Sequence, residues 1–348
     1  LQHLGNEAYE NWKLDRLREA LRRHRLDDTP ALPLVRIGPG TRRRAEFAIS
    51  RAGGAVSIGF HARQSRDIID IEPCPVLLPS LVALLPALRE GMRDVLRNGE
   101  RGDLYVAQLD GGADALLTLP RAPDRVMLEA LAAFAASCDL ARLAWRTKDE
   151  PATVAAERRR PRALIAAGER KIAVAPPPGA FLQPSEAGER AMIADVLANT
   201  ERARRVLDLY AGCGTFALAL AASDRKVHAV EGDGAMASAL TSAARDAGLG
   251  NAVTVATRDL KHRPLLAPEL AGFDAIVFDP PFAGAREQAA QIAQSKAKTV
   301  IGVSCNPATF ARDARLLVDG GYRLVSIRPI DQFLWSTHLE VVGVFARE

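Results

Sequence analysis

Beyond residue 176 the chain settles into one rhythm, in which short β-branched runs alternate with alanine-rich runs of helical length. Strands are expected over 205–210, 226–231, 252–256, 273–279, 299–305, 322–329 and 339–346, with helices over 215–223, 235–247, 284–297 and 308–318. Such repetition favours parallel pairing, because a parallel neighbour is reached only through a crossover, and the crossover helices then cover both faces of the sheet. The expectation is an α/β fold whose ligands sit beyond the carboxyl ends of the strands. The run Pro176-Pro177-Pro178-Gly179 interrupts the chain just before this region, so domains are expected at 1–175 and 176–348. A chain of 348 residues is long enough for two cores.

Ahead of the break the pattern differs. Trp12, Leu14, Leu17 and Leu21 recur at helical spacing within 10–25. Extended stretches follow over 42–51, 55–61 and 67–71, with Gly53-Gly54 as a turn. A helix over 80–98, strands over 103–109 and 113–119 around Gly111-Gly112, a helix over 123–137 and a strand over 140–146 complete a smaller α+β domain built on antiparallel pairing.

Residues 1–66 carry thirteen Lys/Arg against seven Asp/Glu, clustered at Arg22-Arg23-His24-Arg25 and Arg42-Arg43-Arg44; Arg158-Arg159-Arg160 adds a third cluster. Clusters of this kind suit phosphate contacts with a polyanion, and they suit a solvated surface equally well. The longest apolar run, 76–88, is broken by Pro79 and Pro86, so no membrane partner is expected. Cys74, Cys138, Cys213 and Cys305 lie far apart, as reduced thiols of a cytoplasmic protein would. No protein partner can be inferred. The first residue is Leu1 rather than Met, which reads as a chain missing its natural start.

Chemistry gathers at the expected strand ends. Asp208-Leu209-Tyr210-Ala211-Gly212-Cys213-Gly214-Thr215 closes the first strand and opens a helix, and Gly212 and Gly214 let backbone approach a ligand. Ala217 stands where the dinucleotide pattern needs its third glycine, which argues against a nicotinamide enzyme. Glu231 ends the second strand, where a carboxylate can accept from ribose hydroxyls. Asp259 follows the third, and Asp279-Pro280-Pro281-Phe282 ends the fourth. Each acid alone fits a helix cap or a loop. All of them in order point to S-adenosylmethionine on a Rossmann-like, class I methyltransferase sheet.

Cys305 ends the fifth strand, followed by Asn306-Pro307. A proline there is suited to start a helix, whose N-terminus would favour a thiolate. Carbon 5 of uracil is a poor nucleophile toward a methyl sulfonium. A thiolate added at carbon 6 gives an enolate that can attack the methyl group, after which a base must remove the carbon 5 proton. Glu340 is the candidate base. His338, two residues before it, would share its strand face; a structural hydrogen bond is the alternative role for His338.

Together these residues resemble the RNA uracil-5-methyltransferases, which make 5-methyluridine in tRNA and 23S ribosomal RNA. The resemblance covers most of the chain and rests on Phe181-Leu182-Gln183, the 210–216 loop, Glu231, Asp279-Pro280-Pro281, Ser304-Cys305-Asn306-Pro307 with Thr309, and His338-Leu339-Glu340. It implies cofactor contacts at Gln183, Tyr210, Thr215, Glu231, Asp259 and Asp279, a nucleophile at Cys305 and a base at Glu340. It also implies that Cys74 is the distant fourth ligand of a 4Fe-4S cluster whose other three cysteines would precede Leu1, the alternative being an inert buried thiol. The iron–sulfur branch favours 23S ribosomal RNA as the partner, with tRNA as the alternative, and gives the first domain an RNA-contacting role. One departure stands out: the family commonly has Arg where this chain has Phe282. Asp-Pro-Pro-Phe also resembles enzymes that methylate exocyclic amines of adenine or guanine. A non-catalytic RNA-binding assembly factor is a third reading.

Overall fold

A computed structural model describes residues 1–347. Helix α1 (Asn6–Arg23) and the short strand β1 (Val35–Arg36) come first. They are followed by β2 (Arg44–Ala52), β3 (Ala55–His61), β4 (Ile68–Asp70), α2 (Pro79–Val95), β5 (Arg101–Leu109), β6 (Gly112–Leu119), α3 (Arg125–Ser137), β7 (Arg142–Thr147) and β8 (Thr153–Glu157). A hairpin of β9 (Ala163–Ala167) and β10 (Arg170–Val174) leads to α4 (Glu186–Asn199). The remainder alternates: β11 (Arg205–Leu209), α5 (Thr215–Ala221), β12 (Lys226–Glu231), α6 (Gly234–Asp246), β13 (Val253–Thr257), β14 (Ala275–Phe278), α7 (Arg286–Ile292), β15 (Thr299–Ser304), α8 (Pro307–Asp319), β16 (Arg323–Asp331) and β17 (Glu340–Ala346).

The chain divides into two compact units. One contains Leu1–Gly38, Ile165–Val174 and the chain from Gln183 onward. Its eight-stranded sheet has the order β1-β16-β17-β15-β14-β11-β12-β13. β11 to β15 run parallel, as the alternation required, while β17 lies antiparallel between β15 and β16. The order reverses at β11 and β14, and that switch point opens a crevice at the strand ends. Leu207, Leu209, Val230, Ile276, Phe278 and Val300 are among the sheet residues of the core.

The other unit spans Pro39–Leu164 and Ala175–Leu182. Its seven strands, β4-β3-β2-β5-β6-β7-β8, pair antiparallel except for β6 with β7. That one parallel step is the one that needs a crossover, and α3 provides it, capped by Asp124 accepting from Met127 N at 2.9 Å. Helices α2 and α3 bury Leu81, Leu85, Leu88, Leu131 and Phe134 with Phe47, Ile49, Leu104 and Leu117 of the sheet. They touch at Gly91, where a Cβ would lie 2.1 Å from the Phe134 ring.

The domain boundary needs correction at two places. Residues 1–38 belong with the parallel sheet: α1 packs on α8, and β1 extends the sheet beside β16. The buried stripe of α1 is Tyr9, Lys13, Leu17, Ala20 and Leu21, with Trp12 and Leu14 only half-buried, so its inward face is more polar than periodicity suggested. The proline run is not a bare linker either. Arg142 donates to Pro176 O (2.9 Å) and Tyr105 to Ala180 O (3.0 Å), which hold residues 175–182 on the antiparallel unit.

Two of the basic clusters are tied into the structure. Arg158 and Arg159 both bond Asp139, and Arg43 is buried. No helix among the described residues is long and apolar enough to cross a membrane.

Candidate active site

The glycine loop is built from the ends of β11 and β12. β11 ends at Leu209, and Tyr210 then turns the chain with a φ of 62°. Gly214 caps α5 at a φ of 96°, where a Cβ would lie 2.3 Å from Leu240 Cδ1, so only glycine fits. Gly212, at a φ of 55°, has nothing within 4 Å of where its Cβ would be, which leaves bare backbone facing open space. Thr215 is the first residue of α5. Glu231, at the end of β12, clamps the loop: its carboxylate accepts from Gly212 N (2.7 Å) and Asp233 N (2.8 Å). Asp259 stands apart on the exposed rim past β13, accepting from Lys261 N and meeting His262 Nδ1 at 2.7 Å; that bond to His262 holds its carboxyl below the usual range.

A polar chain runs beneath the neighbouring strand ends. Gln183 donates to Asp279 Oδ2 at 3.1 Å, after β14. Gln332 donates to Gln183 Oε1 (3.0 Å) and to Glu340 Oε2 (2.8 Å). Two glutamines therefore join two carboxylates drawn from β14 and β17. Burial lifts the Glu340 carboxyl well above the usual carboxylate range, the Asp279 charge lifts it further, and the Gln332 bond opposes both. Burial raises Asp279 as well, against the bond from Gln183. Asp208, fully buried on β11, is raised by burial and then by the Asp279 charge. The donor set fits S-adenosylmethionine, whose ammonium, sulfonium and ribose hydroxyls are cations and donors in need of carboxylates, beside a glycine backbone that can be approached closely.

Strand register places Cys305 at the same end of the sheet as Glu340. Ser304 of β15 pairs with Val341 of β17, so the next positions outward are Cys305 and Glu340, on neighbouring strands. Glu340 is 2% exposed, while Cys305 is half-buried. Asn306 caps α8 by accepting from Ala308 N (3.1 Å), and Pro307 is its first residue, so the thiol stands at the start of a helix as expected. Asn306 and Thr309 both donate to Phe282 O at 3.3 Å, fixing Phe282 beside the cysteine loop.

His338 departs from expectation. β17 begins at Glu340, so His338 lies in the preceding loop and the shared-face argument does not apply. It is exposed, with its ring edge-on to Phe282 (5.4 Å) and close to Phe333 (5.7 Å). Cys74 lies in the antiparallel unit, half-buried against that core. Among the described residues no three His, Cys, Asp or Glu side chains gather to hold a metal. A cluster held by thiolates needs four, so the residues present do not fit a 4Fe-4S group. Gln332 is the site residue that sequence reasoning missed; a single glutamine after a strand carries no signature of its own.

The family described as tRNA (Uracil-5-)-methyltransferase matches residues 263–348, and one described as Conserved hypothetical protein 95 matches 164–302. An uncharacterised RNA methyltransferase of Mesorhizobium japonicum is 42% identical, across 99% of this chain and 80% of that protein. The 23S rRNA (uracil(1939)-C(5))-methyltransferase RlmD of Halomonas elongata is 35% identical, across 98% of this chain and 72% of its own length. The chain belongs to the RNA uracil-5-methyltransferase family. Its fold is shared with the Pyrococcus abyssi tRNA (uracil-54, C5)-methyltransferase, solved in complex with S-adenosyl-L-homocysteine: the TM-score is 0.73 at 20% identity, covering 99% of this chain and 85% of that one. As a member of the uracil-5 family, the chain is an RNA methyltransferase, which leaves the exocyclic-amine and assembly-factor readings without support.

Proposed function

We propose that this protein methylates carbon 5 of a uridine in 23S ribosomal RNA, with Cys305 as nucleophile and Glu340 as base. The observation that carries the proposal is the pairing of Ser304 with Val341 at the ends of β15 and β17, which leaves Cys305 and Glu340 each one residue beyond that pair. Identity to RlmD along nearly the whole chain supports ribosomal RNA over tRNA.

S-adenosylmethionine would lie across the strand ends, held by Gln183, Tyr210, Gly212, Gly214, Thr215, Glu231, Asp259 and Asp279, and it supplies the electrophilic methyl group. The Cys305 thiolate adds to carbon 6 of the uracil, pushing electrons through the ring onto carbon 5, which takes the methyl as the bond to the sulfonium sulfur breaks and S-adenosylhomocysteine leaves. Glu340 then accepts the carbon 5 proton. The electrons of that C–H bond re-form the ring double bond as the carbon–sulfur bond breaks, and Cys305 leaves as thiolate. A carboxylate raised by burial is better matched to this task at neutral pH than an ordinary one. The target uridine must be unstacked to reach Cys305, and the antiparallel unit would contact the RNA around it.

The test is to map 5-methyluridine in 23S ribosomal RNA and tRNA from cells with and without the gene. The expected result is loss of one 23S modification. Loss confined to tRNA would move the substrate to tRNA, and an unchanged map of both would sink the proposal.

A further inference from the structure

The loop between β16 and β17 carries Gln332 and His338 and delivers Glu340, yet its own hydrogen bonding within the sheet ends at Ile330–Glu340. What holds it comes from the far end of the chain. Lys13, 0% exposed on α1, donates to Phe333 O (3.0 Å) and His338 O (2.5 Å) and pairs with Asp331 Oδ1 (2.7 Å). One ammonium thus ties together both ends of the loop. Tyr9, one helical turn earlier, donates to Asp331 Oδ2 (2.7 Å) and accepts from Trp335 N (2.8 Å). Trp335 has a φ of 59°, a left-handed conformation that a non-glycine residue keeps only where its surroundings enforce it.

A buried lysine with three oxygen partners is expensive for mere packing. A methylene chain capped by an apolar group would fill α1's inward face at lower desolvation cost. The ammonium's three donors suit a different task, fixing the loop so that Gln332 points at Glu340 and Glu340 stays opposite Cys305.

We infer that Lys13, with Tyr9 and Asp331, is a positioning device for the base: it acts on release of the methylated uracil and not on the attack by Cys305. This rests on the proposed roles of Cys305 and Glu340.

The experiment separates the two half-reactions. RNA containing 5-fluorouridine at the target cannot lose a carbon 5 proton, so with S-adenosylmethionine it reports attack and methyl transfer alone. Ordinary RNA in single turnover also reports release. The expected result for Lys13→Met is near-normal trapping of 5-fluorouridine RNA. Release from ordinary RNA should slow by about ten- to a hundredfold, part of the roughly 10²–10⁴-fold that a positioned base contributes, and methylated RNA should accumulate on Cys305. Tyr9→Phe, a milder change, should shift release in the same direction. Lys13→Met with Asp331→Asn removes both buried charges, so it should recover thermal stability without recovering release.

Parallel loss of trapping and release in Lys13→Met and Tyr9→Phe, or recovery of release in the double variant, would overturn the inference while leaving the nucleophile in place. If wild type traps nothing, the Cys305 reading falls and the inference falls with it.

Discussion

Gln332 shows what a single side chain can decide at this site. Its amide bonds the Glu340 carboxylate and stabilises the charged form, so it lowers a pKa that burial and Asp279 raise. Gln332→Leu should therefore raise that pKa further. The acid limb of the turnover–pH profile should then move to higher pH, and an unmoved limb would mean that Glu340 is not the group titrating. Gly214 offers a second test: Gly214→Ala would force a Cβ against Leu240 at a φ of 96°, costing about 1–3 kcal/mol of stability, measurable by thermal melting. Cys305, Glu340, Asp279 and Glu231 were legible as candidates in the sequence because each sits at or next to one end of a strand and has a definite chemistry: Glu231 ends β12, Asp279 and Cys305 follow β14 and β15, and Glu340 opens β17. Gln332 was not, because its meaning comes from Gln183, 149 positions away. His338 was read on the wrong element, since a loop residue two before a strand looks like a strand residue until the ladder is seen to start at Glu340.

Elements were legible wherever periodicity was clean. The strands and helices from β11 to β17 fall within a few residues of expectation, except α7, which stops at Ile292. Helix α4 escaped notice because Gly188 and Glu189 occupy buried positions alongside Met192, Ile193 and Val196, leaving no continuous apolar stripe. In the antiparallel unit, Arg142 on β7 meets Asp114 on β6 with two hydrogen bonds of 2.8 and 2.7 Å, both side chains buried. Arg142→Met would leave that carboxylate without its cation and should cost about 3–5 kcal/mol, read from urea unfolding. The strand-end carboxylates make a pH-dependent prediction. Asp279 and Glu340 both titrate above their unfolded values, so the folded chain holds more protons than the unfolded one in that window. The stability from their neutral forms is present at acid pH and is lost as pH rises through the folded values. Glu340→Gln should accordingly gain thermal stability relative to wild type at alkaline pH, with little gain at about pH 5. Equal effects at both pH values would contradict the raised carboxyl.

Across the whole molecule, the two compact units could be anticipated, but not which segments build them. The proline run looked like a boundary, whereas the parallel-sheet unit also takes in Leu1–Gly38 and Ile165–Val174. Helix α1 carries no catalytic motif, and its contribution becomes visible only once Lys13 is seen under the loop that ends at Glu340. The basic clusters invited an RNA-binding reading, yet Arg158 and Arg159 are committed to Asp139. Replacing both with Gln should change the salt dependence of RNA binding little, whereas removing a cation that does bind a phosphate would reduce its slope by roughly one. A covalent bond between Cys305 and the uracil is central to the proposed mechanism. The direct measurement is to incubate the protein with S-adenosylmethionine and a 5-fluorouridine-substituted RNA, then identify any denaturation-resistant complex by mass spectrometry. A methylated fluorouridine attached to the peptide containing Cys305, and absent from Cys305→Ala, is the predicted result; methylation of ordinary RNA by Cys305→Ala, or by wild type without any adduct, would contradict it.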